Sequence, residues 1–374
     1  MTPRERYVKT LLFAGADRIP FSPGDPREST LAAWRKQGLP AGADWSTHVC
    51  QVLGIPADAM LTTQELGVDF RLIPRFEEQV LERGSGHLIV QDWKGNICEI
   101  PDRYDVSYLR TAKDFVTRRW IRCPVNRRED WEQMQRRYDA GTPSRFPPDF
   151  ERQCGLLRDR HGVLTISIPG PFWQMREWCG FEGLCIMMAR HPDLVSDMAA
   201  FWSDFVAAML ARILPHVVPD AVVISEDMAY KARAMISPAM TREFCLPSWR
   251  RWSARLRAAG CQLIAMDCDG FIEDLVPLWI ESGINVCEPV EVAALNDIVL
   301  LRRRFGQRMA YRGGVDKRAI AQGGPIIRQE LKRIGPVVRD GGFIPGCDHA
   351  VPPDVSWSNY LEYCRLLGEL TGWL

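Results

Sequence analysis

The chain has 374 residues, of which 46% are hydrophobic and 25% are charged, and its 47 basic and 47 acidic residues leave no formal net charge. This composition is that of an ordinary globular protein, without the basic excess that nucleic-acid binding requires. The first 20 residues lack the apolar core and cleavage site of a signal peptide, and no apolar run is long enough to predict a membrane span. The twelve cysteines include no Cys-x-x-Cys pair, which is typical of reduced thiols. We therefore expect a cytoplasmic protein that binds neither nucleic acid nor membrane.

The first 155 residues are predicted to hold short elements of mixed type: a helix at residues 2–16, a strand at 19–22, helices and loops at 28–75, a β-hairpin at 87–100, and helices and loops at 105–155. Thr2 as N-cap and Pro3 at the first helical position indicate the start of the first helix. Lys94-Gly95-Asn96 lies between two β-rich runs, which indicates the turn of a hairpin. We expect this hairpin to decorate the mouth of the domain.

From residue 160 onward, strands and helices alternate regularly. Strands are predicted at residues 163–168, 221–225, 262–266, 284–287, 309–312 and 342–345, and each is followed by at least one helix. This alternation predicts an α/β fold with a parallel sheet. Six successive units without a glycine-rich dinucleotide turn favour a closed (β/α)8 TIM barrel over a doubly wound sheet. We expect residues 1–374 to form one such domain, with N-terminal helices and a small β-hairpin insertion.

Polar residues collect where these strands end. In chain order they are Pro169-Gly-Pro-Phe172, Glu226-Asp227, Asp267-Cys268-Asp269-Gly270, Glu288-Pro-Val-Glu291, Gly313-Gly314 and Cys347-Asp348-His349. The carboxyl ends of barrel strands meet at one mouth, where active sites lie. Carboxylates crowded there repel one another, so at least one pKa should rise, which suits acid–base chemistry or a bound cation.

These positions supply the candidate site residues. The candidate catalytic residues are Glu226, Asp227, Asp267, Glu288 and His349. The candidate substrate-binding residues are Phe172, Trp173, Tyr230, Lys231, Asp269, Glu291, Arg312, Gly313, Gly314 and Asp348. Phe172 and Trp173 could line an aromatic pocket together with Trp93 of the hairpin.

Each signal also has a purely structural interpretation. The acidic residues at 226–227, 267 and 269 could cap helices, and Glu288 could pair with a neighbouring arginine. Gly313-Gly314 could form a tight turn, or its N–H groups could bind an anion. His349 could hold its own loop, and Cys268 and Cys347 could be single thiols rather than a metal pair.

Four parts of the chain carry a resemblance to a known family. They are Arg4-Glu-Arg6 with Asp17-Arg-Ile-Pro20, Ser225-Glu-Asp-Met-Ala-Tyr-Lys231 with Ile236-Ser-Pro238, Gly313-Gly-Val-Asp-Lys-Arg318, and Gly341-Gly-Phe-Ile-Pro-Gly-Cys-Asp-His-Ala-Val-Pro-Pro-Asp354 with Asn359-Tyr360. Together they resemble the uroporphyrinogen decarboxylase-like superfamily over nearly the whole chain, most strongly after residue 220. The resemblance implies a (β/α)8 fold. The superfamily contains true decarboxylases and methyltransferases that work with methylated corrinoid proteins.

One departure from the family argues against uroporphyrinogen decarboxylation. The resemblance implies that the decarboxylase holds its many-carboxylate substrate through a motif of the form Arg-Gln-Ala-Gly-Arg near the N-terminus. Residues 21–27 here read Phe-Ser-Pro-Gly-Asp-Pro-Arg, with one arginine. Without paired arginines, a multiply anionic tetrapyrrole lacks bidentate partners.

A second departure concerns zinc. The resemblance implies that zinc-dependent methyltransferases of this superfamily use a His-x-Cys motif and a later cysteine, and Cys268 and Cys347 match the two cysteines. Met266 stands at the histidine position, so a zinc site would need a substitute such as His349, Glu226 or Asp267. Zinc would hold a thiol substrate as its thiolate. The missing histidine therefore weakens the case for a thiol acceptor, and a pterin-type acceptor needs no zinc.

The sequence favours a methyltransferase that moves a methyl group between the corrinoid of a partner protein and a small molecule. The carboxylates would bind the small molecule and handle protons, His349 would act as an acid–base or orienting group, and Gly313-Gly314 would permit close backbone approach. The alternative is a carboxy-lyase acting on a small acid or a tetrapyrrole-like substrate, and Arg312 or Lys231 in the pocket would favour an acidic substrate. A third hypothesis is a protein that binds a corrinoid or tetrapyrrole without turnover. We expect a monomer or a homodimer.

Overall fold

The computed structural model describes residues 1–111 and 116–374. The helices are α1 (Pro3–Leu11), α2 (Glu28–Lys36), α3 (Trp45–Leu53), α4 (Arg128–Gln135), α5 (Phe150–Leu156), α6 (Pro171–Cys179), α7 (Phe181–Arg190), α8 (Pro192–Ile213), α9 (Pro238–Phe244), α10 (Leu246–Ala258), α11 (Val276–Glu281), α12 (Ile298–Phe305), α13 (Lys317–Gln322), α14 (Pro325–Asp340) and α15 (Trp357–Thr371). The strands are β1 (Thr63–Glu65), β2 (Gln79–Arg83), β3 (His87–Gln91), β4 (Ile97–Pro101), β5 (Arg119–Arg122), β6 (Val163–Pro169), β7 (Ala221–Ser225), β8 (Leu263–Asp267), β9 (Val286–Val290), β10 (Ala310–Val315) and β11 (Phe343–Cys347).

Seven strands form one curved parallel sheet in the order β1-β6-β7-β8-β9-β10-β11. From β6 onward each strand pairs in parallel with the next one along the chain. Parallel neighbours need a crossover connection, and here helices supply it. The six predicted strands after residue 160 and the α/β class are therefore confirmed.

Residues 21–24 lie between the two edges of this sheet. On one side, the Phe21 N–H donates to the Ala59 carbonyl (3.1 Å) and the Leu61 N–H donates to the Phe21 carbonyl (2.8 Å). On the other side, the Cys347 N–H of β11 donates to the Pro23 carbonyl (3.1 Å). The strand predicted at 19–22 is reduced to one parallel bridge, Phe21 with Met60, because the prolines in this segment have no N–H to give to a ladder. The described sheet thus has seven strands, not the eight of the predicted barrel.

Helix α1 closes the amino-terminal end of the sheet. Thr2 and Glu5 form a reciprocal capping box at its start, as the sequence predicts. The helix stops at Leu11, well before the predicted end at residue 16, and Phe13 beyond it has a left-handed backbone. Tyr7 and Leu11 pack in one apolar cluster with the first inward residues of the strands, namely Val163, Ala221, Leu263, Ala265, Val286, Ala310 and Ile344. This plug leaves the carboxyl ends of the strands as the open end.

The insertion is larger than the predicted hairpin. Strands β3 and β4 pair antiparallel, and β2 and β5 add one strand on each side. Strand β5 lies in a region where the sequence predicts helices and loops. All four residues of β5 are exposed, and so are four of the five residues of β2. Neither edge strand therefore shows the alternation of buried and exposed residues by which strands are recognised.

Helix α8 is, within the described ranges, the one helix with the length and apolar composition of a membrane span. Its most apolar window is 61% buried inside the protein, and it packs against α6, α7, α9 and α10. A helix that is apolar on several sides and enclosed by other helices belongs to the core.

Candidate functional site

Three polar side chains stand in one row on the inner face of the sheet. Ser225, Asp267 and Glu288 are register partners on β7, β8 and β9. Residues two positions apart on a strand share a face, so the layer below this row includes Ala265 and Val286 of the apolar plug. The row is therefore the first polar layer above an apolar floor.

Asp267 is the central carboxylate of this row. The Ser225 hydroxyl donates a hydrogen bond to Asp267 Oδ2 (2.9 Å). Burial, together with the charges of Glu288, Asp227 and Asp269, raises the pKa of Asp267 to about 7. This is the kind of pKa shift that crowded strand ends predict, and it allows Asp267 to exchange a proton near neutral pH.

Glu288 and Arg312 form an ion pair beside Asp267. The guanidinium of Arg312 also lies 5.8 Å from the centre of the Tyr7 ring, and its Nε is buried without a hydrogen-bond partner among the described residues. Arg312 is thus engaged by Glu288 and turned toward the floor of the site. Substrate binding by Arg312 stays a prediction, to which this pairing adds no support.

A second group of polar side chains lies on the rim. Asp227 Oδ1 accepts a hydrogen bond from the Asp269 N–H (3.3 Å), and His349 Nε2 lies 3.1 Å from Asp269 Oδ2. The Ala350 N–H donates to His349 Nδ1 (2.7 Å). That ring nitrogen must accept, so the proton of neutral His349 is on Nε2 and points at Asp269. Asp227 itself has a left-handed backbone, with φ of 43°.

Replacing Asp269 with asparagine is expected to lower the pKa of His349. The hydrogen bond and charge of Asp269 raise that pKa, whereas the N–H at Nδ1 opposes a second proton. A pH titration of the His349 ring resonances by NMR measures the shift. Asp354→Asn, an exposed carboxylate five residues along the chain, is the matched control. An unchanged His349 titration in Asp269→Asn would show that the pair does not form in solution.

Glu226 is placed differently from the other candidate catalytic residues. It has no exposed surface. Its Oε2 accepts the Trp173 N–H of α6 (2.9 Å) and its Oε1 accepts the indole N–H of Trp249 (2.6 Å). Burial raises its pKa to about 8, against the effect of these two donors. Glu226 therefore caps the amino terminus of α6, and no part of it faces the mouth.

Asp348 is also fully buried. Its Oδ2 accepts the N–H groups of Val292 (2.9 Å) and Ala293 (3.2 Å), and its Oδ1 accepts the N–H of Lys317 (3.3 Å). A carboxylate with three backbone donors ties these loops together. Substrate binding by Asp348 gains no support from this placement.

The remaining candidates are spread around the mouth. Phe172 is fully buried, whereas Trp173 is partly exposed. Tyr230 is 74% exposed, and Lys231 beside it is exposed on the same turn. Glu291 accepts the Gly270 N–H (3.1 Å) and pairs with Lys317 (3.1 Å). Phe172 therefore does not line an open pocket.

Gly313 and Gly314 lie within β10 rather than in a tight turn. Their φ angles are +89° and +76°, a region in which L side chains are strained. A Cβ at Gly313 would lie 3.2 Å from the Val290 nitrogen. The glycines thus permit close packing of adjacent strands.

Cys268 and Cys347 are both buried in the apolar layer between sheet and helices, as is Met266. The Cys268 Sγ accepts the N–H of Met228 (3.3 Å), and burial raises the pKa of the Cys347 thiol to about 12. In the part of the chain that the structure describes, no three His, Cys, Asp or Glu side chains are arranged to hold a metal ion. These cysteines do not fit a zinc site.

Sequence reasoning missed two inward residues of β6 and their partner on β1. The hydroxyls of Ser167 and Thr165 donate to Glu65 Oε1 (2.7 and 3.2 Å). Ser167 is exposed although it sits on the inner face, so the interior of the sheet is open to solvent from the mouth. The signal was the alternation of Thr165 and Ser167 with apolar residues along β6.

A cavity of about 680 Å³ lies far from these residues, between the end of α8 and α5, and is lined by Phe146, Asp149, Phe150, Glu151, Arg152, Ala211, Arg212, Pro215 and His216. These helix ends precede β6 and β7, so the cavity is at the amino-terminal side of the sheet. The polar row and the rim are at the other side, where barrels carry their chemistry.

The geometry can be compared with known proteins. The sequence profile of the family described as "Uroporphyrinogen decarboxylase (URO-D)" matches residues 123–367. The solved structure of a methyltransferase from Methanosarcina mazei is similar with a TM-score of 0.62 at 12% identity, over 99% of both chains. This likeness concerns the fold alone.

Two further solved structures match more weakly. A B12-independent methionine synthase from Shewanella sp. W3-18-1 has a TM-score of 0.37 at 13% identity over 95% of this chain and 97% of its own. A putative vitamin-B12 independent methionine synthase from Listeria monocytogenes has a TM-score of 0.38 at 9% identity over 96% and 98%. No curated protein sequence matches the chain. The family match covers more than half of the chain, and the chain therefore belongs to the uroporphyrinogen decarboxylase (URO-D) family.

Proposed function

We propose that this protein is a methyltransferase of the URO-D family that moves a methyl group between the corrinoid of a partner protein and a small molecule held in the mouth. The proposal includes a complete (β/α)8 barrel, in which residues 21–24 take the place of a strand between β1 and β11. The observation that carries it is Asp267, an inward carboxylate with a pKa of about 7, in an interior open to solvent.

Methyl transfer to or from a heteroatom that carries a proton in its unmethylated form uses a proton-handling group. A small molecule with an N–H, S–H or O–H group gives up that proton when the atom gains a methyl group, and it takes a proton up when the methyl group leaves. Asp267 can accept or supply that proton, because its carboxyl is half ionised near neutral pH. The Ser225 hydroxyl orients it. The corrinoid, when its carrier protein is docked, supplies or accepts the methyl group.

The rim has a separate part in this proposal. Asp269 fixes the ring of His349 at the edge of the mouth, and Asp227 lies beside them. These groups can hydrogen-bond the polar end of the small molecule, while the interior carboxylate faces the reacting atom. Holding both parts in place converts a bimolecular encounter into an oriented one.

The proposal predicts that methylcobalamin is consumed when the purified protein is mixed with a suitable acceptor. The absorbance of methylcobalamin measures this loss. A panel of pterin and thiol acceptors is tested, with metal analysis of the same sample. Turnover with a pterin and without stoichiometric zinc is expected, because Cys268 and Cys347 are buried in the apolar layer between sheet and helices. Absence of methyl transfer with every acceptor, and with the methylated forms as donors, would contradict it. Stoichiometric zinc that is lost in Cys268→Ser would contradict the placement of that cysteine.

A carboxy-lyase acting on a small acid is the second candidate. Arg312 and Lys231 are the residues expected to bind the acid. Arg312 is paired with Glu288, and Lys231 is exposed on a turn. Other cations do lie at the mouth: Arg176 donates to the Asp227 carbonyl (2.9 Å), and Lys94 pairs with Glu177. Release of CO2 from a panel of small carboxylic acids, without any corrinoid, would favour this function.

A further inference from the structure

Cations surround two partly buried tryptophans on one side of the mouth. Arg71, Arg75 and Lys94 lie 5.9, 5.4 and 5.2 Å from the centre of the Trp93 ring. On the neighbouring helix α6, Arg176 lies 4.5 Å from the centre of the Trp173 ring. We call these six residues the cation–tryptophan cluster.

The cluster is continuous with the candidate site. Arg176 donates to the Asp227 carbonyl (2.9 Å) and lies 3.9 Å from Asp227 Oδ2, and Asp227 contacts Asp269. Lys94, at the turn of the inserted sheet, reaches α6 through Glu177. The mouth therefore has a cationic, aromatic side next to an acidic side with His349.

The four cations of the cluster pair with three carboxylates. Asp69 is shared by Arg71 (2.8 Å) and Arg75 (3.7 Å), Glu177 pairs with Lys94, and Arg176 lies 3.9 Å from Asp227 Oδ2. Burial, together with the charges of Arg118, Arg176 and Arg71 and against that of Asp92, lowers the pKa of Lys94 to about 8. Neighbouring cations that repel one another are stabilised by a bound anion.

We infer that the cation–tryptophan cluster binds the carboxylate or phosphate group of a planar small molecule, whose ring packs against Trp93 or Trp173. The guanidinium groups suit planar oxyanions, and the indole rings offer flat apolar surface. The side chains of Arg71 and Arg75 are 54% and 39% exposed, whereas those of Lys94 and Arg176 are 24% and 19% exposed, so a small molecule that reaches the inner pair is favoured over an acidic protein surface. This inference rests on the proposed function only in taking that molecule to be the substrate.

The test is a ligand-observed NMR titration with benzoate, benzamide, phenyl phosphate and inorganic phosphate. Benzoate and benzamide have the same shape and differ in charge. We expect benzoate or phenyl phosphate to bind about tenfold or more tightly than benzamide. Which of the two anions binds better identifies the group. Lys94→Met and Arg75→Gln should each reduce the preference, and Lys94→Arg should retain it. Arg303→Gln, at an exposed position of α12, is the control.

Equal binding of benzoate and benzamide would overturn the inference, as would equal effects of Arg75→Gln and Arg303→Gln. Inorganic phosphate binding as tightly as phenyl phosphate would overturn the role of the tryptophans. A Lys94→Met variant that binds benzoate normally but needs more corrinoid protein for turnover would assign the cluster to the partner instead. The titration needs neither corrinoid nor turnover, so charge-selective binding without methyl transfer would contradict the proposed function alone.

Discussion

Asp267→Asn is expected to lower kcat for the proposed methyl transfer by about 10²–10⁴-fold, the usual contribution of a general acid or base. The asparagine has the shape of aspartate, and its carbonyl can still accept the hydrogen bond that Ser225 gives to Oδ2. It cannot bind or release a proton. Rates with the best acceptor or donor measure the effect, and Asp274→Asn, at an exposed position, is the control. Equal rates in Asp267→Asn and wild type would remove Asp267 from the chemistry.

The pH dependence of kcat shows whether Asp267 acts as a base or as an acid. With Asp267 as a base in methylation of the small molecule, kcat rises as pH increases through about 7. With Asp267 as an acid in demethylation, kcat falls over the same range. The Ser225 hydrogen bond lowers the pKa of Asp267, so Ser225→Ala should move the inflection to higher pH. An inflection that stays in place in Ser225→Ala would assign it to another group.

Asp267→Asn should also make the protein more stable at high pH. The folded-state pKa of Asp267 is raised from 3.8 to about 7, so between these values the folded state holds a proton that the unfolded state has lost. The free energy of unfolding therefore falls as pH rises through 7. Asparagine does not titrate, so the variant does not lose this stability. Because solvent in the interior screens the charge of Asp267, we expect the free energy of unfolding of Asp267→Asn to exceed that of wild type by about 2 kcal/mol at pH 8. Denaturant unfolding at pH 5 and pH 8 measures it. A variant less stable than wild type at pH 8 would indicate a structural carboxylate.

The series of strands from β6 to β11 could be predicted because each is a short apolar run between helical segments. The inserted sheet was underestimated because β2 and β5 have almost no buried side chains. The contribution of residues 21–24 to the sheet depends on single hydrogen bonds around Pro20 and Pro23, which no periodicity reveals. Local patterns thus predict the strands and helices in which buried residues recur at regular intervals. They do not predict segments that are held at the edge of a sheet by a few hydrogen bonds.

For the site, the strand ends could be located but not the direction of each side chain. Neighbouring residues on a strand face opposite sides, so Asp267 faces the interior while Cys268 is buried under the helices. Ser225 likewise lies in the inner row, and Glu226 is buried against α6. The cationic side was missed because Lys94 and Arg176 are far apart in sequence and meet only when the inserted sheet packs on α6.

Glu226→Ala is expected to destabilise the fold by about 3 kcal/mol or more. The substitution leaves a cavity and deprives two buried donors, the Trp173 N–H and the Trp249 indole N–H, of their acceptor, and each unpaired donor costs about 1–3 kcal/mol. Denaturant unfolding measures the loss, and Glu182→Gln, at an exposed position of α7, is the control. A variant as stable as wild type would show that Glu226 does not hold α6.

Glu226→Gln separates this structural role from catalysis. One amide oxygen still accepts an N–H, but the NH2 group faces the other donor, so a loss of about 1–2 kcal/mol is expected. Burial raises the pKa of Glu226 from 4.5 to about 8, so the folded state holds its proton over that range and wild-type stability falls as pH rises through 8. The difference between wild type and Glu226→Gln should therefore shrink from pH 5 to pH 9. A carboxylate buried away from substrate predicts a kcat close to wild type in the folded variant. A large fall in kcat with unchanged stability would instead return Glu226 to the catalytic residues.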